Sequence, residues 1–192
     1  MSANTISINK QNHQLDGKDH VWLFGYGSLI FKADFHYLQR QPAIISDWQR
    51  RFWQGSHDHR GTPDNPGRVA TLAPESGALC RGMAYMISTD TFDYLDFREK
   101  NGYLRLTTTL AFDDGNRAEA LVYIATEKNE AYLGPASESD IAQHIHRCVG
   151  PRGTNSNYLF ELANALRDLD AVDDHVFEIE RHLLILSDTT SA

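Results

Sequence analysis

Cysteine is scarce in this chain. Cys80 and Cys148 are the only two in 192 residues, and neither belongs to a Cys-x-x-Cys pair. That argues against a disulfide scaffold and against a zinc ribbon. Long apolar runs are missing too. No stretch approaches the ~18–20 residues that a membrane-spanning helix needs. The first twenty residues, MSANTISINKQNHQLDGKDH, hold no apolar centre of the kind a secretory leader requires. Positive charge is in deficit: 26 acidic residues face 18 lysines and arginines, a net charge of −8. Nucleic acid calls for a basic face, so it is not an expected partner, and neither is a membrane. A small anionic substrate stays open, because a few local arginines suffice to bind one.

What is present fits one globular domain. Hydrophobic residues make up 41 % of the chain, and the length allows a sizeable core. No internal repeat or linker-like stretch interrupts it. Residues 1–20 are expected to be a mobile polar tail, 21–188 the folded domain and 189–192 a second tail. The reading is of a cytoplasmic protein. Nothing in the sequence specifies an oligomeric state.

Strands are expected first. VWLF (21–24) reads as a strand, and AIISDWQRRFWQ as another, rich in β-branched and aromatic residues. Between them, Phe31, Phe35 and Leu38 at helical spacing predict a short helix stopped near Pro42. GSHDHRGTPDNPGR (55–68) is a turn-rich loop. RVATLAP and GMAYMIS are expected to pair across ESGALCR. A helix is predicted over TDTFDYLDFREKN, capped by Thr89 or Asp90, with Gly102 past its end. LRLTTTLAF and AEALVYIAT form a hairpin turned at DDGN. Helices follow: one started by a Ser137/Asp140 capping box with Ile141, Ile145 and Cys148 buried, one with Leu159, Leu162, Ala163 and Leu166 on a stripe, and one over DDHVFEIERHLLIL. Strands before helices indicate an α+β fold.

Three groups of residues carry candidate chemistry. Gly25-Tyr26-Gly27-Ser28-Leu29-Ile30 follows the first strand as G-x-G-x-x, with Ile30 where a dinucleotide fingerprint needs its third glycine. No Lys-Ser/Thr pair follows, so a phosphate loop fails as well. The readings left are a backbone cradle for an anion and a tight turn that needs glycine for shape alone. In the helix over FDYLDFREK, Phe92, Leu95 and Glu99 share one face, while Asp93, Asp96 and Lys100 share a polar neighbour. Glu99 is then a partly desolvated carboxylate suited to exchanging a proton. The alternative is a terminal-turn glutamate that swings to solvent or pairs with Arg98 or Lys100. His57-Asp58-His59 puts two imidazoles on one face but supplies no third zinc ligand. Arg60 and Arg68 are better read as local positive charge for an acidic substrate, against the alternative of solvated loop residues. Trp48, Phe52 and Trp53 read as core.

Taken together, VWLFGYGSLIF, RRFWQGSHDHRGTPDNPGRVATL, YLDFREKNGY, YLGPA and GPRGTNSNYLFELANAL resemble, in order, the motifs of the ChaC family of glutathione-specific γ-glutamylcyclotransferases. The resemblance runs from Trp22 to the last helix and leaves residues 1–20 outside. It implies a compact mixed β-barrel flanked by helices, γ-glutamylcyclotransferase-like, with 21–188 as the catalytic domain. It implies that glutathione is the small-molecule substrate and that 5-oxoproline and cysteinylglycine are the products. The family's catalytic glutamate falls on Glu99, and its substrate-binding segment on Gly25, Tyr26, Gly27, Ser28, Leu29 and Ile30. No metal and no cofactor are implied, since the substrate's own α-amine is the nucleophile. Two positions depart from the pattern: Asn101 stands where glycine is usual, and Asn157 where glutamate is common. Asn101 is expected to tolerate a left-handed helix end, and Asn157 to alter pocket closure or substrate fit. Tyr158 is read as pocket lining or core. Two other readings stay open: cyclotransfer on other γ-glutamyl amino acids or γ-glutamylamines, and a non-catalytic binder of γ-glutamyl ligands.

Overall fold

The computed structural model describes residues 4–190. The chain divides into two compact units, Met1–Gln49 with Leu72–Glu130, and Arg50–Thr71 with Ala131–Ala192. Two of the three crossings between them, after Gln49 and after Thr71, fall inside continuous strands, so no linker composition marks them.

The first unit is built on strands whose alternation buries one face. β1 (His20–Gly25), β2 (Gln39–Ser56), β3 (Gly67–Ser88), β4 (Tyr103–Phe112) and β5 (Arg117–Ala125) close a barrel in the order β1-β3-β2-β4-β5. β1 runs antiparallel to β3 and parallel to β5, which makes the barrel mixed. The β4–β5 hairpin forms as expected, in register from Tyr103 opposite Ala125 to Ala111 opposite Arg117. Leu23, Phe24, Ile45, Tyr85, Ile87, Leu110 and Ile124 are fully buried. The α+β barrel implied by the resemblance is therefore the fold observed.

Three local expectations are corrected. Residues 31–38 form no helix. Leu38 donates its N–H to Met86 O at 2.8 Å and β2 begins at Gln39, running through Pro42. The aromatic spacing there serves ring packing: Phe35 and Tyr37 each meet Tyr85 edge-on at 5.3 Å. Residues 67–88 are one strand rather than two. Gly77, at φ +79°, and Asp47, at φ +65°, absorb the turn-forming residues as a distortion, with Gly77 N–H donated to Asp47 Oδ1 at 2.8 Å. Residues 4–20 are not a loose tail. They contain α1 (Ile6–Gln11), and Asn9 is fully buried by bonds to Tyr103 and Arg105. Polar composition hid this because the segment is held by hydrogen bonds rather than by apolar burial.

In the second unit, α3 (Glu138–Arg147) starts at the Ser137 cap, whose Oγ accepts the Asp140 N–H at 3.1 Å. β6 (Val149–Gly150) and β7 (Gly153–Thr154) form a short ribbon. α4 (Asn155–Asp168) and α5 (Asp174–Thr190) follow, and α5 packs on both α3 and α4. The expected stripes are buried: Ile141 and Ile145 on α3, and Leu159, Leu162, Ala163 and Leu166 on α4. α5 continues through Thr190, past the expected start of a tail at 189; residues 191–192 lie outside the described residues.

Candidate active site

The glycine turn follows from crowding at the end of β1. The chain folds back so tightly after Gly25 that a Cβ there would lie 2.7 Å from the Leu29 Cβ. A single 3-10 turn over Ser28–Ile30 follows, closed by Ile30 N–H to Gly27 O at 3.0 Å and Phe31 N–H to Ser28 O at 3.2 Å. The N–H groups of Ser28 and Leu29 precede the first of these bonds, as the leading donors of any helical turn do. Gly25, Tyr26, Leu29 and Ile30 are buried, whereas Gly27 and Ser28 are half-buried. The Tyr26 hydroxyl donates to Tyr123 O at 2.7 Å, and the Tyr85 hydroxyl to Leu29 O at 2.6 Å. Burial pushes the Tyr85 phenol up to about 12, so it stays a donor at neutral pH.

Glu99 ends α2 (Phe92–Arg98) as its C-cap residue, with φ −95° and ψ 13°. It therefore lies just beyond the last helical residue rather than on the helix face. Its side chain is 17 % exposed, and its Oε1 lies 3.1 Å from Arg98 Nε. Partial burial and pairing with Arg98 thus both occur. The predicted cap is corrected: a 3-10 turn over Thr89–Thr91 precedes α2, and Thr91 holds the cap position without a side-chain bond. Asn101 does not adopt the left-handed conformation; Gly102 does, at φ +94°.

Arg98 joins these two pieces. Its Nη2 donates to Ser28 Oγ at 3.1 Å, its Nε meets Glu99, and its Nη1 pairs with the carboxylate of Asp34. One 14 %-exposed guanidinium thereby holds the only half-buried side chain of the turn and the carboxylate of Glu99. A planar fork of donors suits this, since it engages three acceptors without rearranging.

Asp96, which the helical spacing put on a polar face, belongs instead to a buried network. Asp96 is 1 % exposed and Arg105 2 %. Arg105 Nη1 lies 3.2 Å from Asp96 Oδ2, and the Tyr123 hydroxyl donates to Asp96 Oδ1 at 2.6 Å. Burial, then the Asp96 charge, and to a smaller degree Glu99 raise the Tyr123 pKa well above its ordinary value. The signal for Asp96 was present: it sits four residues after Phe92 and next to Leu95, inside the buried stripe.

Arg60 and Arg68, in the second unit, are not open loop cations. Arg60 donates to Thr154 O at 3.1 Å and pairs with Glu161 at 3.2 Å. Arg68 is buried against Phe52 O and Gly134 O, and burial lowers its pKa. Tyr158 packs edge-on to Phe52, and its hydroxyl accepts the Ala70 N–H at 3.3 Å, so it belongs to the core. His59 binds Asp58 at 2.7 Å. Among the described residues, no group of three His, Cys, Asp or Glu is placed to hold a metal. Nor, among the described residues, is any helix long and apolar enough to cross a membrane.

The fold with its closed mixed barrel matches that of γ-glutamylcyclotransferase-like structures. A crystal structure of a γ-glutamylcyclotransferase specific to glutathione from yeast superposes with a TM-score of 0.81 at 31 % identity, covering 86 % of this chain and 96 % of that one. Within that class the chain belongs to the ChaC-like protein family, whose model matches residues 21–185. It is 41 % identical to glutathione-specific γ-glutamylcyclotransferase 1 of Danio rerio, over 88 % of this chain and 91 % of that protein. It is 42 % identical to γ-glutamylcyclotransferase 2-3 of Arabidopsis thaliana, over 85 % and 90 %.

Proposed function

We propose that this protein is a glutathione-specific γ-glutamylcyclotransferase that converts glutathione to 5-oxoproline and cysteinylglycine, with Glu99 as the proton-transfer residue. The observation that carries the site assignment is the Arg98 bridge, which joins Glu99 to Ser28 of the glycine turn. The reaction is an internal transamidation. The substrate α-ammonium gives a proton to the Glu99 carboxylate, and the free amine attacks the γ-carbonyl carbon. A five-membered ring closes through a tetrahedral oxyanion. The bond to the cysteine nitrogen then breaks as that nitrogen takes the proton back from Glu99, and Glu99 next carries the second proton of the ring nitrogen to the same amine, which leaves as an ammonium. Atoms and charge balance without water, metal or organic cofactor.

Nucleophile and electrophile are tethered in the substrate, so the main task is to hold it folded; well-oriented intramolecular attack offsets several kcal/mol of barrier. The leading N–H groups of the turn, those of Ser28 and Leu29, are suited to the α-carboxylate or the developing oxyanion. Buried Tyr26, Leu29 and Ile30 then contribute through backbone and shape. Cys80 and Cys148 remain thiols rather than a disulfide, which suits the reducing cytoplasm.

Incubation with glutathione should release 5-oxoproline in equal amount to cysteinylglycine. Glu99→Gln should stop release while leaving the fold intact by circular dichroism. Normal turnover by a folded Glu99→Gln chain would overturn the role of Glu99. Equal or faster turnover of γ-glutamylalanine would overturn specificity for glutathione, and tight glutathione binding without product would overturn catalysis.

A further inference from the structure

The segment that precedes the family match is bonded to the stretch of chain that directly follows the proposed catalytic position. Thr5 donates its N–H and its hydroxyl to Lys100 O, at 3.0 and 3.1 Å, and Asn4 bridges Asn101. Asn9 Nδ2 donates to Tyr103 O at 3.2 Å, and Asn9 Oδ1 accepts the Arg105 N–H at 2.8 Å. The four residues after Glu99 are thus tied down at both ends by residues 4–9.

The same segment completes the hydrogen bonding of Arg105. Asn9 O accepts from Nη2 at 2.6 Å, and Gln14 Oε1 accepts from Nε at 3.1 Å. Only Nη1 is left for Asp96. A buried guanidinium must have its donors satisfied, or the ion pair it belongs to becomes unfavourable. Asp96 in turn accepts from Tyr123, whose carbonyl accepts the Tyr26 hydroxyl of the glycine turn. A connected path therefore runs from Asn9 and Gln14 through Arg105, Asp96 and Tyr123 to the turn after β1.

We propose that residues 4–14 form a positioning strap for the cyclotransfer reaction. Through Asn9 and Gln14 they fix Arg105 and Asp96, and so set where Glu99 and the glycine turn stand. This rests on the function proposed above. Asn9 and Gln14 are positioning residues and do not touch the substrate. Their effect belongs in kcat, because a carboxylate displaced by less than an ångström still leaves substrate free to bind, and misplacement on that scale costs up to about 100-fold in rate.

The experiment uses the full chain with Asn9→Ala, Gln14→Ala and Gln14→Glu, reading glutathione turnover and amide hydrogen exchange. Gln14→Glu keeps the acceptor for Arg105 Nε and loses the donor that serves Arg105 O and Thr107 Oγ1. Expected is a kcat lowered about 10- to 100-fold in both alanine variants, with KM within about twofold, and near-parental kcat in Gln14→Glu. Exchange at 99–105 should accelerate in the alanine variants. Accelerated exchange with unchanged kcat would overturn the proposal, leaving a merely structural segment. A rise in KM alone, or Gln14→Glu as slow as Gln14→Ala, would overturn it as well. If the alanine variants do not fold, Gln14→Glu against Gln14→Met decides by the same kcat comparison. Absence of 5-oxoproline from the unsubstituted chain overturns the proposed function itself, and that is visible before any substitution is compared.

Discussion

Arg98 donates from Nη2 to the Ser28 hydroxyl at 3.1 Å, tying the end of α2 to the turn that leaves β1. The same guanidinium meets Glu99, so the two parts of the proposed site share one rigid cation. Arg98→Ala should lower kcat/KM for glutathione about 10- to 100-fold, because both acceptors lose their common anchor. Arg98→Lys should recover little, since a point charge cannot hold three acceptors in a plane. Full recovery in the lysine variant would show that charge alone suffices.

Gly25→Ala tests the turn. The added Cβ meets the Leu29 Cβ at 2.7 Å, and the strand end must shift to admit it. Overpacking of this kind costs about 1–3 kcal/mol. Urea denaturation should show that loss, and 5-oxoproline release should fall further than stability explains, because the N–H groups of Ser28 and Leu29 move with the backbone.

Asp96→Ala should destabilise by about 3–5 kcal/mol, the usual cost of leaving one partner of a buried ion pair alone. Arg105 would keep a buried charge without a carboxylate, and the Tyr123 hydroxyl would lose its acceptor. A loss below about 1 kcal/mol in urea melts would mean that water replaces the carboxylate, contrary to the burial of both side chains.

His175 governs part of the acid sensitivity of the second unit. Its Nε2 accepts the Phe52 N–H at 3.1 Å, and its Nδ1 faces Glu138 Oε1 at 3.0 Å. Burial lowers its pKa, and the bond to Glu138 opposes that only in part. The folded state thus keeps the neutral ring, while the unfolded chain binds a proton near pH ~6.5. The contribution to stability is complete above that pH and falls away as pH drops through the lower folded value. Thermal midpoints should therefore fall from pH 7 toward pH 5, with a shallower slope in His175→Gln. A parental midpoint that stays level over that range contradicts this assignment.

Asn157 is the third residue of α4, and its N–H is donated to the Thr154 hydroxyl at 3.1 Å. A glutamate there would complete a capping box and place negative charge in the first turn. Asn157→Glu should stabilise by about 0.3–1 kcal/mol, visible as a higher thermal midpoint. Asn157 is exposed at a helix start, so turnover should not change; a changed KM would favour the expectation of altered substrate fit instead.

Composition and periodicity by themselves determined the α+β class, the β4–β5 hairpin, the Ser137 cap and the apolar stripes of α3 and α4. Those features depend on neighbours within a few residues, where spacing and turn chemistry decide. Motif order carried the family, the barrel and the residues of the proposed site. Only the tertiary structure decided the rest. Asp96 looked like one acid on a polar helix face until Arg105, from β4, and Tyr123, from β5, enclosed it. Arg98 had no sequence signal linking it to Ser28, seventy residues away. Residues 4–20 read as a tail because their attachment is polar: Asn9 and Gln14 find their partners only once β4 lies beside them. Hydrogen bonds between distant segments leave no periodic trace, whereas apolar burial does.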